Sequence, residues 1–272
     1  MQISKVCKQA IAPAIALVCA AAIAHLQLAQ VTAAEQKAKQ GVTKAEALRE
    51  EAEYKTTMAL LKKLPSSSYD NLIADYAFLN VIQYFGDEEA RPKTGYSATP
   101  DFFEVAVQRD PLFLDMYSYL SAMVTLYGGK PQKTVDLISQ GLSAIPDAKK
   151  ADAYFLWQAK AQDELLFLGK PQAARQSYLQ AADWASQSKK PELKQIAQRS
   201  RQTAEFLASN PNSKVAQASA WANIFSSAID KPTRGFAARQ IEALGGRVSV
   251  TDDGLLSVQL PTDKEGKDGQ QE

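Results

Sequence analysis

Repetition constrains this chain more than any other feature. Residues 117–144 read YSYLSAMVTLYGGKPQKTVDLISQGLSA, and from residue 157 the chain reads WQAKAQDELLFLGKPQAARQSYLQAADW, so Gly-Lys-Pro-Gln falls at the same place in both copies, at 129–132 and 169–172. Within the first copy Tyr117, Leu120, Val124 and Tyr127 recur every three or four residues, which lines them on one face of a helix. Gly128 and Gly129 allow the backbone to leave that helix, and Pro131 suits the first turn of the next, where its missing N–H costs nothing. The second helix presents Thr134, Ile138 and Gly141 on one side, small where two axes come close, and Pro146 stops it. Ala174, Tyr178 and Ala181 hold the same three places in the next copy. A helix pair this short cannot bury its apolar faces alone, so neighbouring pairs are expected to stack.

These landmarks resemble the tetratricopeptide repeat. Tyr117, Leu120 with Ser121, Thr134, Ile138, Gly141 and Pro146 fit the family pattern with one residue inserted at the Gly128-Gly129 turn. Upstream, Phe103, Ala106 and Pro111 match the end of an earlier unit, whose first helix is supplied by Tyr76, Leu79 and Asn80, with Gly86 near its end. The third unit keeps Trp157 and Ala161 but departs at Lys160, where the family has Leu, and at Ser186, where it has Pro. The resemblance spans residues 69–188. It implies an all-α fold, a tetratricopeptide-like α-solenoid of helical hairpins, in which the first helix of each unit lines a concave groove for a peptide or a partner helix. The family's groove positions carried onto this chain are Asp115, Ser118, Ala122 and Thr125 in one unit and Gln158, Gln162 and Leu165 in the next. None of these is the Lys, Arg or Asn with which chaperone-tail binders hold a terminal carboxylate, so small and amide side chains suit a neutral or apolar segment instead.

The flanks of the repeats divide the chain further. Residues 1–33 form a signal peptide or signal-anchor helix: Lys5 and Lys8 precede a run from Ile11 through Leu28 that is almost wholly apolar. One expectation is an uncleaved anchor with everything beyond it exported; the alternative is cleavage near Ala33, after Val31-Thr32-Ala33, giving a secreted or periplasmic product. Residues 34–68 are a helical linker in which the capping box Thr43-Lys44-Ala45-Glu46 starts a helix that Leu64-Pro65 ends. Ala47, Glu51, Tyr54, Met58 and Leu61 give it a stripe that packs on the first repeat. Residues 86–99 are an insertion, expected to be a mobile loop in preference to a functional one, with Thr99 capping the helix that Pro100 begins. Residues 189–246 supply C-terminal helices, one of them capped by Ser213. At 247–260 the period changes to two around Asp252-Asp253-Gly254, a small β-hairpin, and the polar tail 261–272 is expected to be disordered.

Composition narrows the chemistry. The only histidine is His25, and both cysteines, Cys7 and Cys19, lie in the N-terminal segment, so the domain beyond it has no imidazole, thiol nucleophile or Cys-based metal site to offer. Ala16-Leu17-Val18 is a poor lead-in to lipidation at Cys19. Asp163-Glu164 and Asp87-Glu88-Glu89 are the acidic clusters a carboxylate-only hydrolase would need, and both read as surface. Trp157, Trp184 and Trp221 stand at helical spacing and read as core. The basic stretch of Lys189, Lys190, Lys194, Arg199 and Arg201 reads as a solvated face. A formal charge of +1 gives no push towards nucleic acid.

The expectation is therefore a non-enzymatic scaffold or assembly factor for membrane or extracytoplasmic proteins, with no cofactor, no metal and no catalytic residues. It would take a protein or peptide partner, and it would sit on the membrane through the apolar run if that run is uncleaved. Two alternatives stay open: an envelope carbohydrate or peptidoglycan hydrolase using carboxylates only, and a repeat adaptor on the cytoplasmic side.

Overall fold

The computed structural model describes residues 18–24, 27–28, 41–65, 68–228, 231–250 and 256–261. The chain is mostly helical and ends in one two-stranded antiparallel sheet. Half of the predicted apolar run from Ile11 to Leu28 falls outside the described residues, as do the cleavage site near Ala33, the hairpin turn 252–254 and nearly all of the polar tail. Among the described residues no helix is long and apolar enough to cross a membrane.

Helix α1 (Lys44–Lys63) begins at the capping box: the Thr43 hydroxyl accepts from the Glu46 N–H, and the Thr43 N–H donates to the Glu46 carboxylate at 2.9 Å. Its stripe buries Ala47, Glu51 and Met58. Helix α2 (Asp70–Gly86) packs on α3 (Thr99–Arg109), and α1 lies against α3. Thr99 is the first residue of α3 and not its cap; its hydroxyl donates to the Tyr96 carbonyl at 2.9 Å, because residues 96–99 already form a turn. Arg109 pins the junction of these three helices, since its buried guanidinium reaches Asp70 at 2.9 Å and the carbonyls of Leu61 and Leu64. Three carbonyl and carboxylate acceptors satisfy the guanidinium's two terminal nitrogens, which would otherwise be costly to bury, while its buried Nε has no hydrogen-bond partner among the described residues.

Residues 87–98 do not behave as a free loop. Asp87 accepts from the Ala90 N–H at 2.9 Å and so organises a helical turn at Arg91–Thr94. Ala90, Arg91 and Ala98 are buried. Arg91 stacks 3.6 Å above the Tyr84 ring and pairs with Glu51, which also accepts from Tyr84 at 3.0 Å and Lys55 at 2.9 Å. Glu89 accepts from the Val42 N–H at 3.2 Å, and Lys93 donates to the Val42 carbonyl, so the segment also holds the entry to α1. The mobile-loop expectation fails because its fixing partners lie on α1 and α2, distant in sequence.

The repeated unit follows. Its first helix is irregular, a 3-10 stretch Leu114–Tyr119 running into a π-helical stretch Ser121–Tyr127, and it packs on α4 (Pro131–Ala144). The second copy has α5 (Tyr154–Leu166) on α6 (Pro171–Ser186). The turns match: Gly129 and Gly169 take φ of 65° and 61°, the left-handed region that glycine enters without strain, and the Lys130 and Lys170 N–H groups donate to the carbonyls of Val124 at 3.0 Å and Glu164 at 2.8 Å. Close approach is equally explicit, since a Cβ added at Gly141 would lie 2.0 Å from the Tyr117 hydroxyl oxygen. Tyr117, Leu120, Val124 and Ile138 are buried together. Ala174 and Tyr178 join a second cluster with Leu165 and Leu207.

Helix α7 (Pro191–Ser209) packs on α6, and α8 (Lys214–Ser227), capped by Ser213 at the Ala216 N–H, packs on α9 (Lys231–Ala243). Strands β1 (Arg247–Val250) and β2 (Leu256–Gln259) pair with Val248 opposite Val258. These two valines rest on the Trp221, Phe225 and Ile241 cluster, which supplies the apolar support a lone hairpin lacks in water.

Candidate functional site

Residues from α2, the irregular helix and α5 to α9 line a common cleft of about 850 Å³. Ile82 and Phe85 of α2, Tyr119 and Met123 of the irregular helix, Phe155 of α5, and Trp221 and Ile224 of α8 form its apolar walls. The polar groups between them are Ser118, Ser121, Gln158, Gln162, Ser200, Thr203, Ser219, Asn223 and Thr233. Gln158 donates to the Ser200 hydroxyl at 3.1 Å and so ties α5 to α7. Among the described residues one charged side chain lines the cleft, Arg199.

Of the seven positions carried over from the family's groove, the cleft brings together Ser118, Ala122, Gln158 and Gln162. The other three stand elsewhere. Asp115 is exposed away from the lining, and Thr125 and Leu165 are buried, at 3% and 7% exposure. The tightening of Leu114–Tyr119 into a 3-10 stretch and the widening of Ser121–Tyr127 into a π stretch change which residues share a face, which a uniform 3.6-residue period does not capture. The sequence reading also missed the wall beyond the repeats. Ile196, Arg199, Ser200 and Thr203 recur every three or four residues on α7, and that spacing was the available signal.

Asp163 and Glu164 depart most from expectation. Both read as surface, and both are buried, at 0% and 5% exposure. Asp163 lies behind the cleft lining and receives hydrogen bonds from the hydroxyls of Ser121 and Thr125, so α5 is joined to the irregular helix through one carboxylate. Thr134 of α4 extends the chain, its hydroxyl oxygen 2.8 Å from that of Thr125. Burial pushes the Asp163 carboxyl up to about 6; the Ser121 and Thr125 hydroxyls pull the other way, and the Glu164 charge adds to the rise. Glu164 accepts from Ser177 of α6 at 2.7 Å and has Lys160 at 3.8 Å. Forty residues earlier the same two places hold the buried apolar pair Val124 and Leu137, so one unit closes with apolar contact where the next closes with a hydrogen bond.

The tryptophans divide between packing and wall. Trp157 and Trp184 meet edge to face at 5.8 Å, whereas Trp221 contacts Phe167 at 5.3 Å and Phe236 at 5.5 Å while lining the cleft. Of the basic stretch, Arg201 pairs with Asp183 at 3.9 Å on the surface and Arg199 reaches the cleft. Among the described residues no three His, Cys, Asp or Glu side chains cluster so as to hold a metal ion. Comparison of the chain with known protein families, curated proteins and solved structures returned no match.

Proposed function

We propose that this chain is a tetratricopeptide-like α-solenoid that works as a non-enzymatic scaffold or assembly factor, exported and tethered by its N-terminal apolar segment, for membrane or extracytoplasmic proteins. The observation that supports this reading is the cleft: it is lined by residues from α2, the irregular helix and α5 to α9, its walls are apolar, and its described polar groups are mainly hydroxyls and amides suited to a peptide backbone. Such a surface suits binding and positioning, and among the described residues its lining offers no nucleophile–base pair.

The carboxylate-hydrolase alternative would need an acid that reaches substrate. Asp163 has the raised pKa such an acid needs, but it is fully buried with both oxygens occupied by hydroxyl donors, which counts against that role.

Photocrosslinking from Gln162 in solubilised membranes, followed by affinity purification, tests the scaffold reading. A stable protein partner should be captured, and replacing Ser118, Ala122 and Gln162 together by bulky charged residues should release it without loss of helical signal. Retention of every partner by that folded variant would overturn the assignment of the cleft. Protease protection in intact cells or vesicles tests the exported placement separately, and an accessible repeat domain only on the cytoplasmic face would refute it.

A further inference from the structure

The cleft's charge pattern is more specific than its shape. Among the described residues its lining holds apolar rings and aliphatics, uncharged hydroxyl and amide groups, no carboxylate, and the single cation Arg199. Several described cations are answered by carboxylates: Arg91 meets Glu51, Arg109 meets Asp70, Lys62 and Lys133 meet Glu104, and Arg201 meets Asp183. Arg199 is exposed and lies in none of the ion pairs among the described residues. The other described residues of the lining are uncharged and cannot neutralise it. A guanidinium presents a planar fork of donors that matches a carboxylate in geometry as well as in sign.

We infer that the cleft takes an apolar peptide segment of a partner protein carrying one acidic side chain, and that Arg199 selects it; this rests on the scaffold reading above. The apolar walls bury the segment, and the acidic group answers the one charge the lining leaves open. A basic residue at that point would meet like charge, with no carboxylate among the described lining residues to relieve it. The amide of Gln162 beside the rings favours peptide over a bare acyl chain, because an amide facing a hydrocarbon would lose its hydrogen bonds to water without return.

The test uses the full chain and a labelled apolar helical peptide in three versions, with Glu, Gln or Lys at one central position, read by fluorescence anisotropy. The Glu peptide should bind at least about tenfold more tightly than the Lys peptide, with Gln between them. Arg199→Ala should bring the Glu peptide to the level of the Gln peptide, and Arg199→Glu should invert the order, with circular dichroism unchanged because the side chain is exposed. Equal binding of all three peptides, or an order that survives Arg199→Glu, would overturn this inference and leave the scaffold reading standing. Failure of all three to bind would remove both. Displacement of the Glu peptide by a free fatty acid at lower concentration than by unlabelled peptide would overturn it in favour of a lipid ligand.

Discussion

Replacing Asp163 by Asn isolates the cost of keeping a charge behind the cleft. The carboxyl titrates near 6 in the folded chain against an ordinary value of 3.8, because burial penalises the ion more than the Ser121 and Thr125 hydroxyls stabilise it. A folded pKa raised above the unfolded one means that the folded state holds its proton longer. The stabilising contribution is thus complete below about pH 3.8 and lost as pH rises through about 6. A shift of that size corresponds to about 3 kcal/mol at neutral pH. Asn keeps the shape and stays neutral, and the two hydroxyls can rotate to serve its oxygen and its amino group. The assay is urea unfolding of wild type and Asp163→Asn at about pH 4 and about pH 7.5, the two ends of the titration window. Only the difference between the two proteins is read, because Glu51 and Glu104 contribute a pH dependence of opposite sign. Their carboxyls are partly desolvated, which raises them, but hydrogen bonds from Ser97 and Lys55 and from Lys133 and Lys62 outweigh this and hold them below the usual range. Relative to wild type, the variant should gain about 2 to 3 kcal/mol on going from the acidic to the neutral condition. A constant difference across the two would refute the reasoning, since it would mean that ionised Asp163 is as well accommodated as neutral Asp163.

Other substitutions probe the remaining contacts. Gly141→Ala places a methyl against the Tyr117 hydroxyl and should cost about 1 to 3 kcal/mol by thermal unfolding, with Tyr117→Phe recovering part of the loss in the double variant. Arg91→Ala strips the buried Glu51 of its guanidinium partner and should cost about 3 to 5 kcal/mol, read as the onset of proteolytic cutting within residues 87–98. Ser177→Leu alone should destabilise, because Glu164 loses its donor in a buried place. Combining it with Glu164→Val rebuilds the apolar pair of the preceding unit and should restore the melting temperature to within a few degrees of wild type or above it.

What was legible in the sequence was its punctuation. The Thr43-Glu46 box, the Gly-Lys-Pro turns, the Ser213 cap and the alternation that made the hairpin are local signals, and each acts within a few residues of where it is written. What was not legible depended on partners far along the chain. Asp163 reads as surface until Ser121 and Thr125 are brought to it from about forty residues upstream, and residues 87–98 read as loose until Tyr84 and Glu51 close on Arg91. Four of the seven positions taken from the family pattern fell in the cleft, and the 3-10 and π stretches account for why a regular-helix projection could not place the rest of the irregular helix. Arg199 and Trp221 were in view as residues but not as one wall with Gln158, because α7 and α8 lie outside the span of the resemblance.

The position of Trp221 gives the molecule its own optical probe. The chain has three tryptophans, and two of them, Trp157 and Trp184, are coupled to each other in the packed interior between α5 and α6. With those two changed to Phe, all indole emission would originate from the cleft wall. Trp221 is only 5% exposed, so its emission is already that of a buried indole, and an occupant carrying a heavy-atom quencher such as bromine would report filling of the cleft on the unlabelled chain.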